Sequence, residues 1–134
     1  MGLCAAIGLI GLLTQSAFAD EKEGKVKIPA TVEGILKAIH TEHGELAETV
    51  KNKKLADVHH HAYAIRDLAK ALPDKAAADK KKQVEGAVKN ISKLADDLDK
   101  AGDDGKQAET EALLKKLDGV LKVLEAQFGH EHKE

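Results

Sequence analysis

Residues 39–72 read IHTEHGELAETVKNKKLADVHHHAYAIRDLAKAL, and they hold five of the seven histidines of the chain. The stretch divides into two amphipathic halves folded back on each other around Asn52, Lys53 and Lys54. The first half belongs to a helix expected over 31–51, with apolar residues at Val32, Leu36, Ile39, Leu46 and Val50. Their spacings of 4, 3, 7 and 4 leave one gap in a heptad seam, at position 43, which is histidine. In the second half the stripe is Leu55, Val58, Ala62, Ile65, Leu68, Ala69 and Leu72. His61 falls inside it, one turn after Val58.

Helical geometry then sorts the imidazoles. At about 100° per residue His43 lies in the middle of the first stripe, and His40 on its flank about 60° away. His59 lies at the edge of the second stripe and His60 points away from it. His59 and His61 are about 200° apart around the axis, so the three consecutive histidines do not grip one ion together. With a turn centred near residue 53, antiparallel pairing sets His61 level with residues 45–46. That leaves His43 about 3–5 Å away along the axis. A cluster of His40, His43 and His61, with His59 or Glu42 nearby, offers imidazole and carboxylate ligands to a divalent ion. The alternative is a pair of buried neutral imidazoles, each hydrogen-bonded to a backbone or side-chain partner.

The rest of the chain repeats the helical pattern. Pro29 and Thr31 start the first helix, with Glu33 placed to favour its positive end. Pro73 stops the second at Leu72. From about Lys75, with Asp74 as cap, Val84, Val88, Ile91, Ala95 and Leu98 recur at spacings of 4, 3, 4 and 3 up to Gly102. A fourth helix, capped by Asp103 or Asp104, carries Leu113, Leu117, Val120, Leu121, Leu124 and Phe128, and Gly129 closes it. No stretch alternates with a period of two. Short connections between long helices favour antiparallel neighbours, so the expected fold is all-α, an up-down-up-down antiparallel four-helix bundle over 29–129.

Residues 1–19 stand apart. Their apolar run ends in Ala17, Phe18 and Ala19, an A-x-A cleavage pattern before Asp20. We read this as a signal peptide that sends the chain to the periplasm or an equivalent compartment. No Lys or Arg precedes the run, as though the start were truncated, and the run is too short for the roughly 20 apolar residues of a membrane span. No stable span is therefore expected once the signal is removed. Residues 20–28, DEKEGKVKI, read as a flexible leader, and residues 130–134 as a tail in which His130 and His132 form a second, looser candidate for metal.

Loss of residues 1–19 removes the only cysteine and the only methionine, Cys4 and Met1. Copper(I) sites of soft sulfur and C-x-x-C-H haem attachment are thereby excluded. All formal charges lie after Ala19, and the net charge of -2 gives no basic excess for nucleic acid. Tyr63 and Phe128 are the only aromatics beyond the leader, too few for base stacking. No nucleophile triad or glycine-rich phosphate loop is present, and Asp96, Asp97 and Asp99 read as a solvated face among lysines. The chain is not expected to be an enzyme.

In outline the chain is similar to the haem bundles cytochrome b562 and cytochrome c-prime. It lacks the early methionine and late histidine of the first and the C-x-x-C-H of the second, so no haem is expected. Nor does it carry the Glu-x-x-His of ferritin-like bundles, because Lys37, His40, Ala56, Asp57, Val58, Gln127 and Gly129 stand three residues before the histidines. The segment EHGEL at 42–46 and the run from Leu55 to Pro73 resemble small exported His-bearing helical proteins of bacterial metal handling. This resemblance implies metal association. Two expectations from different classes follow. In the first, the protein buffers or delivers a divalent transition metal such as Cu(II), Zn(II) or Ni(II) through His40, His43, His59 and His61. In the second, it is a structural subunit or adaptor of a larger exported complex, and the histidines are packing or contact residues.

Overall fold

A computed structural model describes residues 26–129 of the protein. The expected signal peptide and the tail histidines His130 and His132 lie outside the described residues. Four α-helices and no strand occur among those described: α1 Val32–Lys51, α2 Val58–Lys70, α3 Lys81–Asp103 and α4 Gln107–Ala126. They surround one core of Ile, Leu, Val and Ala, in which Ile35, Ile39, Leu46, Ile65, Leu68, Ile91, Leu98, Leu117 and Leu124 are among the fully buried side chains.

The first helix begins where the sequence places it. Thr31 is extended, and its hydroxyl accepts a hydrogen bond from the Gly34 N–H at 3.1 Å, satisfying one of the donors a helix start leaves without a partner. Lys51 ends the helix and Lys53 takes a left-handed φ of 58°. A single 3-10 turn, Leu55–Asp57, then precedes α2, so the second helix opens three residues later than its apolar stripe suggests. Val58 through Leu72 supply the buried stripe as expected, although Leu72 lies just beyond the helix.

Two boundaries differ more. The third helix starts at Lys81 and not near Lys75, because Pro73–Lys75 forms a 3-10 turn and Ala76 is extended. Residues 77–80 are all exposed; with nothing to bury, the helical preference of alanine alone does not hold a helix there. Asp74 therefore caps no helix, and its carboxylate instead lies 3.8 Å from Lys81 Nζ. Nor do Asp103 and Asp104 cap the fourth helix. Asp103 is the last residue of α3, Asp104 follows it, and Gly105 makes the left-handed turn with φ of 67° before Lys106 leads into α4.

Gly102, expected to end α3, serves a different purpose. It is buried inside the helix, and a Cβ built on it would stand 2.6 Å from the Leu55 carbonyl oxygen and 3.3 Å from Val58 Cβ. Only a residue without a side chain lets the end of α3 lie against the entrance of α2. Further along the same pair, the Tyr63 hydroxyl donates to Asp99 Oδ2 at 2.9 Å. Between α1 and α4, Gln107 Nε2 donates to the Val50 carbonyl at 2.8 Å, while His40 meets Glu125 at the other end. In both pairs, residues late in one helix meet residues early in the other.

Candidate metal centre

Each helix of a bundle turns the middle of its stripe to the common core and its two flanks to its two neighbours. On α1, Glu42 and Glu45 lie one turn apart on one flank, and His40 and His43 lie one turn apart about 160° away. The first flank faces α2. There Glu42 Oε2 stands 2.8 Å from His61 Nδ1, and Glu45 Oε2 stands 3.5 Å from the same nitrogen. His61 and Glu42 are mostly buried, at 23% and 22% side-chain exposure, and Glu45 is open to solvent. An open groove of about 580 Å³, lined in part by His40, Glu45, Glu48 and His61, leads to the group.

The second flank faces α4. His40 Nε2 lies 2.8 Å from Glu125 Oε1, whose side chain is only 5% exposed; a carboxylate so deeply buried is stabilised by such a partner. His43 Nε2 is shut off from solvent and has no hydrogen-bond partner among the described residues. Burial pushes its imidazole below the ordinary value of 6.5, opposed by Asp118 and Glu125 on α4 and reinforced by His40 and Lys122.

On the opposite side of α2, His59 faces α3. One ligand atom from each of His59, Asp99 and Asp103 lies within 4.8 Å of the other two, as holds also for Glu42, Glu45 and His61. These are the groups of three or more ligating side chains that the described residues bring together, and either could hold a metal ion. Asp99 is therefore more than the solvated surface charge its neighbours suggested. It accepts from Tyr63, whose hydroxyl is pushed up to about 12 by burial and by that hydrogen bond and so stays a donor. Arg66 lies over the same ring, 4.2 Å from its centre.

The imidazoles expected to share one seam thus stand in three places. His61 joins Glu42 and Glu45, His59 joins Asp99 and Asp103, and His40 and His43 look toward α4. Neither His40 nor His43 belongs to a group of three ligands among the described residues. His60 is exposed, its ring 3.9 Å from that of His59. Glu42 was visible beside the histidines in the sequence. Glu45, Asp99 and Asp103 were not, although the i,i+3 and i,i+4 spacings of Glu42 with Glu45 and of Asp99 with Asp103 are a signal that could have found them.

A larger open groove, about 780 Å³, runs between α3 and α4, past Gly86, Leu94, Gly119, Val120 and Val123. It holds neither histidine nor a group of converging carboxylates. No helix among the described residues is long and apolar enough to cross a membrane. No protein-family model, curated protein or solved structure matches the chain.

Proposed function

We propose that this chain is an exported, non-catalytic metal-binding protein, an up-down-up-down antiparallel four-helix bundle that buffers or delivers a divalent transition metal. The observation that carries the reading is the convergence of His61, Glu42 and Glu45 across the α1–α2 hairpin. One imidazole and two carboxylates give the donor set of a borderline divalent ion such as Zn(II), with Cu(II) and Ni(II) as competitors. Two carboxylates balance the charge of the ion. The ion would take the place now filled by the proton between His61 Nδ1 and Glu42, so affinity falls as pH falls. The opposed direction of the α1–α4 and α2–α3 contacts supports the antiparallel arrangement, and the A-x-A pattern before Asp20 supports export.

Calorimetric titration tests this with Zn(II), Cu(II) and Ni(II), on protein whose His130 and His132 are replaced by Ala to silence the tail. Binding at His61 is expected to be lost in His61→Ala and weakened at least tenfold in Glu42→Gln, and to survive in His43→Leu. A protein that binds none of the three ions overturns the proposal. The second reading, a subunit or adaptor of a larger exported complex, is favoured by the groove between α3 and α4 and by Val123 on its rim, 57% exposed.

A further inference from the structure

His59 and His61 stand two residues apart on the first turns of α2, on opposite sides of that helix, and each meets a pair of carboxylates from a different neighbour. We infer that the chain has a second metal site, independent of the first, formed by His59 of α2 with Asp99 and Asp103 of α3. It takes a borderline divalent cation of the Zn(II) class, because it repeats the donor set of one imidazole and two carboxylates. The ligand atoms lie within 4.8 Å of one another; ligands at about 2 Å from one ion stand at most about 4 Å apart, so small side-chain rotations close the group on an ion.

The surroundings of this site are built to hold it. Asp99 and Asp103 are one turn apart on α3 and so project to one side. Tyr63, one turn beyond His59 on α2, donates its hydroxyl to Asp99 Oδ2 at 2.9 Å. Its ring is itself held under Arg66. Such an outer hydrogen bond fixes which way a ligating carboxylate turns. The close approach of Gly102, which stands between Asp99 and Asp103 in the chain, to Leu55 and Val58 keeps the distance between the helices short. With both sites filled, the beginning of α2 is tied on one flank to α1 and on the other to α3.

The site rests on geometry separate from that of the proposed function, and its test separates the two. Two-dimensional NMR of the imidazole nitrogens reports each histidine individually while Zn(II) is added to the full chain. In His61→Ala the His59 nitrogens are expected to shift on saturation with Zn(II), and in His59→Ala the His61 nitrogens. Tyr63→Phe, which keeps the ring and removes the hydroxyl, is expected to weaken binding at His59 by about tenfold and leave His61 unchanged. Asp103→Asn should weaken it further. If His59 stays unmoved in His61→Ala while His61 responds in His59→Ala, the second site falls and the first stands. If neither responds, both fall. A His59 response that is unaffected by Asp103→Asn and by Tyr63→Phe overturns the assignment of the aspartates.

Discussion

Position 43 is where the heptad seam of α1 calls for an aliphatic side chain, and His43→Leu tests how the fold bears the histidine that stands there. Two contributions act in the same direction. A buried polar atom without a partner, as His43 Nε2 is among the described residues, costs about 1–3 kcal/mol. Burying a leucine side chain in full contributes about 1.5–3 kcal/mol. His43 is only partly buried, so the lower ends of these ranges apply, and the variant is expected to gain about 2 kcal/mol near pH 8. In a domain of this size that is a rise in Tm of about 8 °C.

The advantage should also grow on acidification. Burial holds His43 below its ordinary value of 6.5 in the folded state, so as pH falls the unfolded chain takes up this proton first. Stability is then fully present above 6.5 and declines toward the depressed folded value. Leucine has no such dependence. Urea unfolding of parent and variant, followed by circular dichroism at about pH 8 and about pH 5, measures both effects, and the difference between the two proteins cancels the other histidines. A variant less stable than the parent at both pH values would refute the reasoning. So would a gain that is the same at both.

Other changes bear on the backbone. Gly102→Ala is expected to destabilise the fold by about 2 kcal/mol, because overpacking against the Leu55 carbonyl costs about 1–3 kcal/mol or more and outweighs the helix preference of alanine. Gly86→Ala, with nothing within 4 Å of the added Cβ, should instead stabilise by about 0.5–1 kcal/mol; equal effects in the two variants, measured by urea unfolding, would show that the helix contact is looser than described. Lys53→Gly removes a left-handed side chain that costs about 1–2 kcal/mol, offset by about 1 kcal/mol of added freedom in the unfolded chain. A small gain is expected, and a loss above about 1 kcal/mol in the same assay contradicts it.

Apolar residues at heptad spacing along the chain were enough to read four helices and most of the core, although Ile35, fully buried, lay outside the stripe read for the first helix. Boundaries at Pro73 and after Gly102 were less legible. Ala77 and Ala78 favour a helix locally but face solvent, and the acidic pair at 103–104 resembles a cap while closing the helix before it. For the site, periodicity marks which residues share a flank but not which neighbour that flank meets. His43 was placed opposite His61 by treating the hairpin as two helices alone. With four helices, α4 takes the flank that carries His40 and His43, while α2 takes the one that carries Glu42 and Glu45. Asp99 was read as part of a solvated face for a related reason, because its role depends on Tyr63, 36 positions away.

The chain has one tyrosine and no tryptophan, and that tyrosine sits where α2 and α3 touch. Tyrosine absorption and emission therefore originate at a single joint of the molecule. An optical melting curve records the parting of those two helices, and a loosening of α1 or α4 alone would pass through it without a trace, visible only to a probe that counts helical backbone.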